Sequence, residues 1–292
     1  RPAQHYTMGG VRTLPSGESP TLKGLFAAGE AACWDMHGFN RLGGNSVAET
    51  VVAGMIVGEK IADFCDREDL QVPLGLVREA IEREQAMLDR LVLGNGRESA
   101  TALRVAMQQI MTDKVGIFRD GARLAQGVEE LQQLLLRSRD IGVPYQAGGA
   151  HPELVAAYRT QKMLKVALTV AYGALMRTES RGAHYRSDCP RRDDAQWLKR
   201  TLAWWKDPSD TLPTLSYEPL DVKRMELPPG WRGYGAKDYI DHPDTPRRQA
   251  EITALKVKLA AADRFAVQEA LMPYEHLLPE RLRGRNERID EP

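Results

Sequence analysis

A long run of helical periodicity constrains this chain more than any other feature. From about residue 72 to residue 177, apolar residues recur at three- and four-residue spacing almost without a break, as amphipathic helices require and strands do not. The pattern predicts helices near 73–93, 98–114, 120–139 and 151–177. Asp120 stands where the third helix needs an N-cap, and Gly142-Val143-Pro144 follows its end. Short loops between long amphipathic helices imply antiparallel neighbours in a bundle. The stripe from Leu124 to Leu135 reads as core packing between those helices.

The flanks differ. Residues 1–66 are glycine-rich with short strand-like runs: Val11–Leu14, then a Pro15-Ser16-Gly17 turn, then a buried strand over Gly24–Glu30. Ser46–Asp66 reads as one helix, with Val47, Val51, Met55 and Ile61 at helical spacing and Ser46-x-x-Glu49 as a capping box. Gly54 and Gly58, four apart, predict close approach of another element. After residue 178, prolines at 190, 208, 213, 219, 228, 229, 243 and 246 predict extended, irregular chain. One more helix is expected over Thr245–Met272. The fold class is therefore α+β, mostly α. It comprises a partial lobe over 1–71, a helical bundle over 72–178 and an extended C-terminal region over 179–292.

Composition excludes several functions. The 40 basic and 40 acidic side chains balance, so no field draws nucleic acid as a main partner. Cys33, Cys65 and Cys189 are far apart and form no metal-ligand spacing, which fits a reducing compartment. His151, His242 and His276 have no neighbouring ligand set, so no metal is expected. The longest apolar stretch, Val166–Met176, lies between Lys165 and Arg177 and is well short of the roughly 20 residues a bilayer needs.

Two segments carry chemistry. Gly24–Glu30 ends in glycine and a carboxylate, and an acid at such a point accepts hydrogen bonds from a sugar-like chain. Then His37-Gly38-Phe39-Asn40-Arg41-Leu42-Gly43-Gly44-Asn45-Ser46 runs straight into the helix. Its glycines let a ligand approach the backbone, and the helix start offers unpaired N–H groups and a positive dipole end. Arg41 adds a fork that matches a carboxylate. Taken singly, His5 is an ordinary loop histidine and Arg41 a surface cation.

In combination these residues resemble the flavoprotein subunits of succinate dehydrogenases and fumarate reductases. The strand-Gly-Glu, the His-Gly-x-Asn-Arg-Leu-Gly-Gly-Asn-Ser run and the opening His5-Tyr6-Thr7-Met8-Gly9-Gly10 all look like that family. So do Val115–Arg119, Arg177–Arg186 and Arg192-Asp193-Asp194 with Trp197. Glu226–Gly235 is similar to the fumarate reductases of anaerobic bacteria. The resemblance covers most of the chain, and it implies a Rossmann-like FAD lobe, part of which lies in a missing N-terminal half. It implies that His5 and Arg41 bind carboxylates of fumarate or succinate and that Glu30 meets the sugar-like part of FAD. Gly43, Gly44, Asn45, Ser46 and Val47 would meet the flavin, the last three at its pyrimidine edge, and His37 would lie near it. Phe39 stands where the family usually has alanine, and Val47-Ala48-Glu49 replaces a commoner Leu-Leu-Glu. The dense charges of Arg177, Glu179, Arg181, Arg186, Asp193 and Asp194 read as a structural network joining bundle to lobe.

The resemblance further implies partners: an iron–sulfur subunit, a quinone-reactive membrane anchor, and the preceding half with its dinucleotide motif and proton-donor arginine. The complex would sit peripherally on the cytoplasmic side of a bacterial inner membrane. The fragment alone would not be catalytic. Two other readings stand beside it. L-Aspartate oxidase shares the histidine and arginine clamps, but usually carries Ala-Ser or Ser-Ser in place of Gly43-Gly44. A non-catalytic helical module would account for residues 73–177 alone.

Overall fold

A computed structural model of the chain describes residues 5–39, 41–68, 73–143, 151–220, 250, 254 and 257. Strand β1 (Val11–Arg12) pairs in parallel with β2 (Ala32–Cys33), in register Val11 to Ala32 and Arg12 to Cys33. Between them the amide of Gly17 donates to the Leu14 carbonyl at 2.9 Å, closing the turn that Pro15-Ser16-Gly17 predicts. The strand expected over Gly24–Glu30 does not form. Phe26 makes a single bridge to Glu18, and Gly29–Ala31 is a 3-10 turn. The segment's backbone groups are taken up locally instead: the Leu25 amide donates to Leu22 O and the Ala27 amide to Gly17 O. Its apolar content serves α1 (Asn45–Arg67), where Phe26 meets Phe64 edge to face at 5.6 Å.

Helix α1 matches its expected span but not its expected cap. It begins one residue early, at Asn45, which puts Glu49 beyond the position from which a capping side chain reaches back. Gly54 and Gly58 also depart from expectation. An added Cβ at either would meet nothing within 4 Å among the described residues, and neighbouring Val51 and Met55 are exposed.

The bundle forms as the periodicity predicts. Its helices are α2 (Leu74–Leu93), α3 (Ala100–Lys114), α4 (Gly121–Arg137, continued by a 3-10 turn over Ser138–Asp140) and α5 (Pro152–Met176). Each start from α3 onward has a side-chain cap. Ser99 accepts from the Ala102 amide, Asp120 from Arg123 and His151 Nδ1 from Leu154. On α4 the buried residues are Leu124, Gly127, Val128, Leu131, Leu134 and Leu135, the stripe read from the sequence. It meets Leu103 of α3 and Leu164 and Leu168 of α5, all fully buried. The buried side of α5 is rich in alanine (Ala157, Ala167, Ala171, Ala174), which lets the longest helix approach its neighbours closely.

The chain divides into two compact units, Arg1–Arg192 with Thr201–Tyr217, and Asp193–Arg200 with Glu218–Pro292. Within the second, Asp193 caps the short helix α6 (Asp194–Trp197) by accepting from the Gln196 amide. Lys199 lies 4.7 Å from the Trp197 ring centroid, and Arg200 pairs with Glu218. Within the extended chain expected after 178, β3 (Lys199–Trp204) and β4 (Thr214–Pro219) pair in a two-stranded sheet. Thr201, Leu202, Trp204, Thr214 and Tyr217 suit a pleated surface, while Pro208 and Pro213 fall in the connection, where no ladder bond is needed. Of the helix expected over Thr245–Met272, residues 250, 254 and 257 are described and helical; the rest, like Glu226–Gly235, lies outside the described residues.

Candidate functional site

The start of α1 is open to a ligand. Gly44 occupies the N-cap in the left-handed region, φ 82°, and no side chain caps the helix. The Asn45 amide donates to the Leu42 carbonyl at 3.3 Å, while the N–H groups of Ser46 and Val47 lack a side-chain acceptor from the cap, at the end of the helix where the dipole is positive. Gly43 and Gly44 have nothing within 4 Å of an added Cβ among the described residues. Leu42 and Val47 beside them are 55% and 73% exposed. Uncapped donors next to exposed apolar side chains suit a flat, electron-rich ring with a polar edge. Glu30, also exposed, uses one carboxylate oxygen to accept from the Thr7 amide at 2.7 Å. That bond ties the Gly29-Glu30 turn to the His5–Gly10 segment.

Arg41 and its neighbours form the second part. The Arg41 guanidinium carbon lies 4.6 Å from the Tyr6 ring centroid, and its Nη1 donates to the Leu42 carbonyl at 3.0 Å. Its Nε is buried with no hydrogen-bond partner, and among the described residues no carboxylate pairs with it. The surface ion pair that would make Arg41 unremarkable is not there. His37 is differently engaged: its Nε2 lies 2.9 Å from Glu49 Oε2, with the two side chains 9% and 3% exposed. Glu49 also faces the Tyr6 hydroxyl at 3.5 Å, and the Tyr6 ring meets His37 edge to face at 6.1 Å. Burial, then the Glu49 and Glu30 charges, push the Tyr6 hydroxyl above its ordinary pKa, so it stays protonated.

The loop bearing these residues is held from the other side by the segment after α5. The Ala183 amide donates to Phe39 O at 3.1 Å, and the Arg177 guanidinium lies 4.9 Å from the Phe39 ring centroid. Gly182, at φ 56°, packs against Phe39 so closely that a Cβ would lie 2.8 Å from that of Phe39. Behind this contact lies the part of the expected charge network formed by Arg177, Glu179, Arg181 and Arg186. Glu179, wholly buried, accepts from Arg177 at 2.6 Å and from Arg181 at 2.8 and 2.9 Å. Burial lowers the pKa of Arg177 and of Arg119 from its ordinary value. Arg186 donates to the carbonyls of Ala174, Leu175 and Arg177 at the end of α5 and forks onto Asp188. Those are the orphan carbonyls and the negative dipole end of the helix, where a cation is most favourable. The fork holds the Asp188 carboxyl at about 2.

Of the residues the sequence singles out, His37 lies on Glu49 and Arg41 on Tyr6, the chain neighbour of His5. His5 is exposed and hydrogen-bonds to no described residue. Glu30 is joined to Thr7, and Gly43 to Val47 form the open helix start. Tyr6 and Glu49 join the site only in the structure. The sequence offers Tyr6 as part of a motif with no role of its own, and its capping pattern points Glu49 elsewhere. No sequence signal separates Glu49 from its helix, because Val47, Val51, Val52 and Met55 around it are themselves exposed.

Two family models match the chain: an FAD binding domain over residues 1–47, and the fumarate reductase flavoprotein C-terminal region over 104–234. Together with the open helix start they define a flavoprotein, with FAD as its cofactor. The chain is 50% identical to the fumarate reductase flavoprotein subunit of Helicobacter pylori over 100% of its length and 41% of that protein's. It is 32% identical to a mitochondrial succinate dehydrogenase flavoprotein subunit of Oryza sativa, over 80% of the chain and 38% of the relative. A solved E. coli quinol fumarate reductase variant superposes with a TM-score of 0.71 at 34% identity, covering 82% of this chain and 40% of that one. The chain belongs to the fumarate reductase and succinate dehydrogenase flavoprotein family, and spans about two fifths of the length of the curated relatives it matches. The adenylylsulfate reductase of Archaeoglobus fulgidus, 18% identical at a TM-score of 0.54, shares the fold alone.

Proposed function

We propose that the full-length protein is a fumarate reductase or succinate dehydrogenase flavoprotein subunit, and that this chain carries its dicarboxylate clamp and part of its flavin site. The observation that carries the reading is Arg41: a guanidinium without a carboxylate partner among the described residues, with a buried Nε unbonded, four residues ahead of an uncapped helix start. Arg41 and His5 bind the two ends of the diacid. Charge-assisted bonds of this kind contribute roughly 1.5–3 kcal/mol each. FAD, when bound, supplies the hydride exchange with one alkene carbon.

The chain's own residues prepare the site. Ser46 and Val47 offer backbone N–H donors, and the segment Asn45–Val47 the positive end of the α1 dipole, to the flavin's polar edge, while Gly43 and Gly44 let it approach. Glu30 keeps one oxygen for a sugar-like hydroxyl. His37 fixes the loop through Glu49 and would lie near the flavin. The proton for the second carbon comes from an arginine in the preceding half, so this chain alone is not catalytic. The electrons leave singly through an iron–sulfur subunit to a quinone-reactive membrane anchor. Among the described residues no helix is long and apolar enough to cross a membrane. By likeness to the quinol fumarate reductases, the full-length protein attaches through partners, on the cytoplasmic side of a bacterial inner membrane.

The test is viologen-linked fumarate reduction by the purified full-length protein, run beside oxygen-dependent oxidation of L-aspartate. Fumarate turnover with a bound flavin spectrum is expected. Aspartate oxidation without fumarate reduction would replace this reading with the amino-acid oxidase, and a colourless protein would remove both.

A further inference from the structure

We propose that Tyr6 is a further substrate-positioning residue, whose ring face holds the Arg41 guanidinium in place without neutralising it. This rests on the dicarboxylate reading above and adds to it a residue that acts through Arg41. A clamp arginine faces a conflict: it must be held still, yet the usual means of holding a guanidinium is a carboxylate, which would compete with the substrate for the same N–H fork. The arrangement around Arg41 avoids that. Its guanidinium carbon is 4.6 Å from the Tyr6 ring centroid, an attraction to the ring quadrupole that consumes no N–H donor. One donor, Nη1, goes to the Leu42 carbonyl, a neutral acceptor. Nε is buried and unbonded.

Both acids near this cluster are engaged elsewhere. Glu30 accepts from the Thr7 amide, and Glu49 is held by His37. The ring itself is fixed on two sides. Its edge meets the His37 imidazole at 88° between planes, and its hydroxyl faces the same Glu49 oxygen that His37 contacts. Glu49, 3% exposed, is thus the common anchor of both aromatic side chains, and Tyr6 passes that anchorage to Arg41 without passing on the negative charge. Loss of ring charge at Tyr6 should then weaken substrate binding, with little effect on the rate once substrate is bound.

The experiment replaces Tyr6 in the full-length, flavin-loaded protein by phenylalanine, difluorophenylalanine and trifluorophenylalanine. These rings share a shape but carry progressively less negative charge on the face. Across the series the KM for fumarate and the Kd for succinate by equilibrium dialysis should rise stepwise by about two- to ten-fold in all, while kcat at saturating fumarate stays level. A flat KM and Kd, or a fall confined to kcat, overturns the role of Tyr6. If the unsubstituted protein neither binds succinate nor reduces fumarate, the dicarboxylate reading itself fails and this inference goes with it. A flat series in a protein that does both removes the inference alone.

Discussion

Acid should destabilise this protein through His184 well above the range in which carboxylates titrate. The His184 side chain is buried, its Nδ1 lies 2.9 Å from Arg119 Nη1, and its Nε2 lies 3.2 Å from the Arg177 carbonyl. Arginine can only donate and a carbonyl can only accept, so the ring is neutral with its proton on Nε2. Protonating Nδ1 would set one donor against another beside the positive charges of Arg119, Arg177 and Arg186. Burial first, then the Arg119 charge, lower the pKa from 6.5 to about 4. Because the folded value lies below the unfolded one, the contribution is fully present above pH 6.5 and is lost as the pH falls from 6.5 through 4. By linkage the loss is about 2 kcal/mol at pH 5 and about 3 kcal/mol near pH 4. Asp188 falls mostly outside this window: held at about 2 chiefly by its hydrogen bonds from Arg186, it loses its contribution as the pH falls from 3.8 through 2. The assay is the urea midpoint of the full-length protein between pH 4 and 7, compared with His184→Gln. The glutamine amide accepts from Arg119 and donates to Arg177 O but does not titrate there. The variant should have a shallower slope by the amounts above, and equal slopes in both proteins would refute the assignment.

Three further outcomes are expected. Arg41→Met in the full-length protein should raise the KM for fumarate roughly 100-fold while FAD content holds, because a charge-assisted clamp is lost and nothing in the helix start changes; steady-state kinetics with a flavin absorbance ratio checks it. Gly182→Ala should cost about 1–2 kcal/mol, from the positive φ and the contact with Phe39, read as a lower thermal midpoint. Arg186→Met should cost about 3 kcal/mol by removing the cation that satisfies the last carbonyls of α5, and a midpoint within about 1 °C of the parent would contradict that role.

Helices are the most legible part of the chain. Leu124, Val128, Leu131 and Leu135 repeat at the α period over three turns, and a periodic stripe of that length has one economical burial. Asp120 likewise declares itself as a cap, because a carboxylate just ahead of such a stripe has a local use. Short segments are less legible. Leu25-Phe26-Ala27-Ala28 is apolar enough for a strand, but a strand needs a partner for every backbone group, and here the local turn takes them while Phe26 packs on Phe64. Glu49 misleads for a related reason: a capping box is a local pattern, and one residue of helix extension, to Asn45, turns the same carboxylate into a buried anchor for His37.

By itself the order of residues determined the helical bundle, the Asp120 cap, the glycine-rich approach to α1 and the family motifs, because each depends on contacts within a few positions along the chain. What only tertiary structure decided is how distant segments meet. Tyr6 comes to Arg41, Glu49 takes up His37, Phe39 docks on Arg177 and Gly182, and His184 is pinned neutral by Arg119 across 65 positions. These encounters follow from packing of a whole unit, and they set burial and local charge. A residue's type does not announce either, so the same histidine or arginine becomes clamp, anchor or cap only once its neighbours are in place.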